Sequence, residues 1–199
     1  MVTTLKSTIS AARTRISERD NDRDVKLLKL VATGDRRAFQ QLYEFYHRRL
    51  AAFLVRLTRQ HDIAEEVIND TMWIVWKKAA QFRGEAQVST WIIGIAYRRA
   101  LNTIQRLNSG VRALNQTVDI EALTSDEPER TDELHDWLGS ALEQLPVEQR
   151  LVIELAYYMG HSCDEIAAIM DCPANTVKTR MFHARHKMKR LLEESADGA

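Results

Sequence analysis

The stretch from Cys172 to Leu192 carries Lys178, Arg180, Arg185, Lys187, Lys189 and Arg190 without one acidic residue. Cations at this density suit a polyanion. They neutralise phosphates and release condensed counterions, while neighbouring polar side chains such as Thr176, Thr179 and His183 can reach base edges in a major groove. A second chemistry is open to His161, Cys163, Cys172, His183 and His186, which are soft enough for zinc. The two cysteines have no standard ligand spacing, however, and small packing thiols are the competing reading. The sequence contains no glycine-rich phosphate loop, no HExxH and no nucleophile with an identifiable base partner, which argues against an enzyme.

A basic face needs a helix to hold it. Val177, Met181, Ala184, Met188 and Leu191 recur at spacings of four and three, so one side of that helix packs, leaving Lys178, Thr179, Arg180, His183, Lys187 and Arg190 outside. Immediately before it, Ser162 and Glu165 form a capping-box pattern, Ile166, Ala167 and Met170 mark a short helix, and "DCPA" makes a tight connection. Short helix, tight turn and longer helix is the helix-turn-helix order. Two further helices complete this block, one through Leu138, Ala141, Leu142 and Leu145, and one from Pro146 through Leu151, Val152, Leu155 and Tyr158 to Gly160. On charge alone, a solvated basic helix facing an acidic partner would serve as well.

The remaining chain also reads as helical, with no sustained alternation of the kind strands need. The expectation is an all-α protein: two small helical domains, 25–107 and 136–192, joined by an acidic flexible linker at 108–135, with disordered tails at 1–24 and 193–199. Gly34 should end a first helix and Asp35 should cap a second, whose stripe is Phe39, Leu42, Tyr43, Tyr46, Leu50, Phe53, Leu54 and Leu57. Asp62 with Glu65 is expected to cap a third helix, and Ser89 a fourth that turns Ile92, Ile95, Ala96, Leu101 and Ile104 inward and Arg98, Arg99 and Arg106 outward. "MWIVW", residues 72–76, is apolar for five positions, more than one helical face can bury, so some of Trp73, Ile74 and Trp76 must meet either the first helix, the tail or a partner. Linker acids from Asp119 to Glu133 offset the basic end. The formal net charge of zero is therefore a sum of segregated blocks. No run approaches the roughly 18 apolar residues of a membrane span, and the first residues hold no apolar block of signal-peptide type, so no membrane insertion and a cytoplasmic location are expected.

At this point the residues carry a resemblance. "LEQLPVEQRLVIELAYYMGHSCDEIAAIMDCPANTVKTRMFHARHKMKRLL" is similar to region 4 of bacterial extracytoplasmic-function sigma factors, members of the sigma-70 superfamily. "DIAEEVINDTMWIVWKKAAQFRGEAQVSTWIIGIAYRRALNTIQR" resembles their region 2. The resemblance implies a transcription initiation factor that directs core RNA polymerase to specific promoters, with no cofactor. It assigns Thr176, Lys178, Thr179, Arg180, His183 and Arg185 to the upstream promoter box. Phe82, Arg83, Gln87, Thr90, Trp91, Arg98 and Asn102 fall to the melted downstream box, with a flipped base held in the loop from Phe82 to Val88. Trp91 either stacks on DNA or packs in the core. Glu65, Glu66, Asn69, Asp70 and Trp73 fall to the polymerase, whose beta-prime clamp helices and beta flap are the implied partners, together with promoter DNA and an anti-sigma factor. Asn69 and Asp70 stand where the family has a Gln-Glu pair, Tyr97 and Arg98 where many members have asparagine, and Gly94 where a larger residue is usual. That glycine implies close packing against a neighbour. The alternatives of another class are a stand-alone helix-turn-helix regulator, with 25–107 as a ligand or dimerisation domain, and a helical adaptor.

Overall fold

A computed structural model describes residues 20–114, 141–142 and 144–196, and the side chains within them except those of 108–114, 192 and 194–196. The expectations for 1–19, for 115–135, for Leu138 and for 197–199 lie outside the described residues. Among the described residues all regular structure is helical. Helix α1 spans residues 20–32, α2 Arg36–Thr58, α3 His61–Lys78 with a 3₁₀ turn at Ala79–Gln81, and α4 Val88–Leu114. Residues 141–142 are helical (α5), followed by α6 Val147–Ile153, a π-helical turn at Glu154–Tyr158, α7 Cys163–Met170 and α8 Ala174–Ala196.

The apolar stripe of α2 is the centre of the first lobe. Leu42, Tyr46, Leu50, Phe53 and Leu54 are fully buried against Val67, Ile68, Met72 and Val75 of α3 and Ile92, Ile93 and Ala96 of α4. Each such side chain contributes about 1.5–3 kcal/mol on leaving water. Asp35 caps α2 as expected, accepting from Arg37 N and Ala38 N at 2.8 and 3.1 Å, after Gly34 has turned the chain at φ +89°.

Four boundaries differ from expectation. Helix α1 begins by residue 20, because Asp24 is buried and accepts from the Tyr46 hydroxyl at 2.5 Å. Residues 20–24 therefore belong to the fold and not to a tail. Helix α3 starts at His61 with no side-chain cap, which leaves Asp62 inside the first turn, and Glu65 turns to His47 Nε2 at 3.0 Å instead of closing a box. Helix α4 is capped across the lobe by Asn21, whose Oδ1 accepts from Val88 N at 2.9 Å, so Ser89 lies within the helix. That helix runs on through Leu114, so residues 108–114 are helical where a linker was expected. Leu101, expected inside, is 39% exposed and Ile104 half-buried.

The second lobe is built as its sequence indicates. Ser162 Oγ accepts from Glu165 N at 3.3 Å while Glu165 Oε2 accepts from Ser162 N at 2.8 Å, the reciprocal box. Asp171 takes the left-handed conformation at φ +51° and ends α7. Leu151, Val152 and Leu155 pack with Ile166, Ile169, Val177, Met181 and Ala184, fixing α7 against α8. The π turn was not foreseen. Its wider spacing carries Met159 N to Glu154 O at 3.0 Å, places Glu154 inside, and leaves Tyr158 51% exposed.

The lobes are packed on one another with a continuous core. Helix α7 lies along α4. Around that contact, Arg49 Nη2 donates to Met159 O at 3.1 Å, Arg150 Nη2 donates to Arg56 O at 3.3 Å, and Arg56 Nε stands 3.1 Å from Glu154 Oε1.

Candidate nucleic-acid interface

Three surfaces gather the residues singled out from the sequence. On α8, Lys178, Thr179, His183 and Arg185 are exposed and Thr176 is half-buried in the first turn. The Thr179 hydroxyl donates to Asn175 O at 2.9 Å, which holds its rotamer. Arg180 corrects the expectation of an outward cation. It is half-buried, its Nη2 lies 2.5 Å from Glu148 Oε2, and its Nη1 points at Cys172 Sγ at 3.8 Å. Packing of α6 against α8 brings that carboxylate within reach. Lys187 is likewise drawn aside, donating to Gln144 O at 2.6 Å. Sequence reasoning passed over Phe182, which is 66% exposed between these polar residues and parallel to the His186 ring at 6.3 Å. Its place off the Val177–Met181–Ala184 stripe was the available signal.

The second surface is a cavity of about 350 Å³ lined by Phe82, Arg83, Gly84, Thr90, Trp91, Gly94 and Arg98, with Ala168 of α7 completing the wall. Gly84 at φ +74° lets the loop fold back. Trp91 packs against the core beside Phe82, ring centroids 5.3 Å apart, and one side of it lines the cavity. Arg98 is the neighbour packed over Gly94, its guanidinium nitrogens 3.4 Å from where a Cβ would stand, an ordinary contact distance that a larger residue would also meet. Asn102 is exposed on α4, one turn beyond Arg98, and Gln87 is half-buried at the start of the helix. Thr90 is 3% exposed beneath α7 and its hydroxyl donates to Glu165 Oε1 at 3.2 Å.

The third surface is on α3. Glu66, Asn69, Asp70 and Trp73 follow at three, one and three residues and share a side, with Trp73 59% exposed and the Lys77 ammonium 4.7 Å from its ring centroid. Trp76 is instead partly buried edge-on to Phe39 at 5.1 Å. Helix α2 adds two residues that sequence reasoning had placed inward or left aside: the Tyr43 hydroxyl donates to Asn69 Oδ1 at 2.9 Å, and His47 pairs with Glu65. Asp70 is ion-paired with Arg99, so that arginine braces α4 to α3.

Two carboxyls have shifted titrations. Burial raises that of Glu165, but the His161 imidazole and the N–H and hydroxyl of Ser162 outweigh it and hold the group at about 2. Glu154 is raised by burial against the opposing cations Arg56 and Arg150. Among the described residues, no group of three or more His, Cys, Asp or Glu side chains is placed to hold a metal ion, and no helix is long and apolar enough to cross a membrane.

A helix-turn-helix with a cationic outer face on its longer helix, packed on a second helical lobe, defines a protein of the nucleic-acid-binding class. Comparison with known proteins sharpens the class. Residues 42–109 match sigma-70 region 2 and residues 135–188 match sigma-70 region 4. The chain is 32% identical over 175 residues to the ECF RNA polymerase sigma-E factor of Escherichia coli K12, covering 81% of this chain and 90% of that protein. It is 29% identical over 185 residues to the RNA polymerase sigma-H factor of Pseudomonas aeruginosa, covering 86% and 95%. The sigma factor RpoE of Bartonella quintana, solved in complex with the anti-sigma factor NepR, superposes with a TM-score of 0.65 at 28% identity, covering 78% of this chain and 96% of that one. The chain belongs to the ECF family of RNA polymerase sigma factors. It directs RNA polymerase to promoters, binding the core enzyme and promoter DNA; it is an initiation factor, and the polymerase is the catalyst.

Proposed function

We propose that the chain divides promoter recognition between its lobes. Helix α8 holds the upstream box as duplex, with Lys178 and Arg185 on phosphates, Thr179 and His183 toward base edges, and Arg180 joining them on leaving Glu148. The loop from Phe82 to Val88 and the outer side of α4 take the strand that melts, through Phe82, Arg83, Gln87, Thr90, Trp91, Arg98 and Asn102. The α3 face of Glu65, Glu66, Asn69, Asp70 and Trp73 meets the polymerase clamp helices, and the second lobe meets the beta flap. An anti-sigma protein is the further partner this reading includes, as for the Bartonella relative, and the site of action is the cytoplasm.

The observation that carries this reading is the cavity. Extruding a base costs a few kcal/mol, which a pocket recovers by stacking and by hydrogen bonds to the base edge. At about 350 Å³, with the Phe82 and Trp91 rings for stacking and the Arg98 guanidinium for the edge or phosphate, it has suitable size and chemistry. The test is a fluorescent base analogue at the flipped position of a promoter. Its emission should rise on open-complex formation by the holoenzyme and fall when Gln87 and Arg98 are both replaced by alanine. Equal affinity of the holoenzyme for duplex and single strand would contradict the reading.

A further inference from the structure

Trp91, Gly94 and Arg98 follow one another at three and four residues and so share one side of α4, the side that lines the cavity. The middle position has no side chain. The Arg98 head group folds back along the helix over it, both Nη atoms 3.4 Å from where a Gly94 Cβ would stand. Between the Trp91 ring and that guanidinium, α4 therefore presents a gap, bounded at one end by a stacking surface and at the other by a planar fork of donors. Phe82 adds its ring to the first end, 5.3 Å from that of Trp91. Among the described residues Arg98 makes no hydrogen bond or ion pair, whereas its neighbour Arg99 is committed to Asp70. From this geometry we propose that the pocket selects guanine at the extruded position, with Arg98 reading O6 and N7 through its two terminal nitrogens. The inference rests on the base-capture reading given above and adds to it the identity of the base.

Other occupants of the fork fit the cavity less well. A strand phosphate would also pair with a guanidinium, but the Glu85 carboxylate lines the same cavity and would repel it. That carboxylate is loosely held, 3.8 Å from Arg83 with both side chains exposed, so it can turn inward. It suits the donors of a base. Guanine carries acceptors at O6 and N7 and donors at N1 and N2, so one base satisfies an arginine and a glutamate together. Adenine sets its N6 amino group against the donors of Arg98, and thymine has a methyl group beside its O4 acceptor. Cytosine has acceptors and a donor, but its single ring stacks over less of Phe82 and Trp91 and leaves more of the cavity of about 350 Å³ empty.

The test uses holoenzyme assembled from core polymerase and the full chain, on a promoter that it opens. The downstream box is supplied already unpaired, so that the cost of breaking a base pair is the same for every sequence. The extruded position is located by the base-analogue signal and then filled in turn with each of the four bases and with the deaza analogue of guanine that lacks N7. Guanine is expected to bind at least about tenfold more tightly than the other bases, the discrimination of a bidentate pair, and the deaza analogue should lose most of that margin. Arg98→Lys keeps the charge and removes the fork, and should bring all the bases within about twofold of one another. Arg98 is exposed, so this variant should melt as the unmodified chain does, and the deaza analogue tests the contact with no substitution in the protein. Equal binding of the four bases, a preference for any other base, or a guanine preference that survives Arg98→Lys would each overturn the inference. In those cases the analogue still brightens on opening and the base-capture reading stands. An analogue that stays dark at every position overturns both.

Discussion

Replacing Trp73 by glutamate asks whether the apolar overflow of α3 is a partner surface. Trp73 is 59% exposed, with the Lys77 ammonium 4.7 Å from its ring centroid. Removing it should therefore disturb the fold by no more than an exposed cation–π pair, about 0.5–1 kcal/mol. Its exposed share of a tryptophan surface of roughly 250 Å² is about 150 Å², and at about 25 cal/mol per Å² a partner that covers it gains about 3–4 kcal/mol. That is the scale of an interface hot spot. The expected outcome is a loss of at least about a hundredfold in affinity for core polymerase, from the rule that 1.4 kcal/mol is tenfold, measured by anisotropy of labelled chain. The helical circular dichroism melt should shift by only a few degrees. Wild-type affinity in the mutant would refute the surface assignment, and a molten or aggregated mutant would show that Trp73 is core.

Further outcomes follow from individual contacts. Ser162→Ala removes the α7 cap and should destabilise the second lobe by about 0.5–2 kcal/mol in urea titrations. The Glu165 carboxyl, at about 2 in the fold against an ordinary 4.5, gives stability that is complete above the ordinary value and is lost as pH falls toward the folded one; acid melts of Ser162→Ala should show a shallower loss across that window. Glu154 is shifted the other way, so its charge subtracts from stability at neutral pH, and Glu154→Gln should raise the melting temperature there; a lowered one would mean that the Arg56 pairing outweighs burial. On the reading helix, Lys178→Ala should weaken upstream-duplex binding evenly across sequences and reduce the salt slope by about one, whereas Arg180→Ala should cost about 1–3 kcal/mol at one base position. Equal effects of the two across a sequence panel would count against separate roles.

What the sequence makes legible is what neighbouring residues decide among themselves. Leu42, Tyr46, Leu50, Phe53, Leu54 and Leu57 of α2 and Val177, Met181 and Ala184 of α8 need only helical periodicity, and the Ser162–Glu165 box has both partners within one turn, so these stand as expected. The errors arise where the deciding partner is distant in the chain. Asn21 caps α4 from the first helix, and Asp24 is polar in composition yet buried because Tyr46 meets it. Glu65 has a local capping role available but finds His47 on α2. The cavity shows the same division: Phe82, Trp91 and Arg98 share one loop and helix and stand together there, whereas the packing of α7 on Thr90 depends on two lobes whose contact no periodicity reports. The pairing of Arg180 with Glu148 belongs to that class too, since both residues look solvated in isolation.

The central claim is that this chain gives core polymerase its promoter choice, using one lobe for duplex and the other for the opened strand. The most direct measurement is transcription by core enzyme on a promoter library, with and without the chain, the start sites being read from the transcripts. The account predicts initiation that requires the chain, at promoters sharing an upstream and a downstream box at fixed spacing, with melting at the downstream box lost in the Gln87 and Arg98 double alanine variant. Tight duplex binding by the chain alone, with no chain-dependent start sites when core polymerase is present, would contradict it.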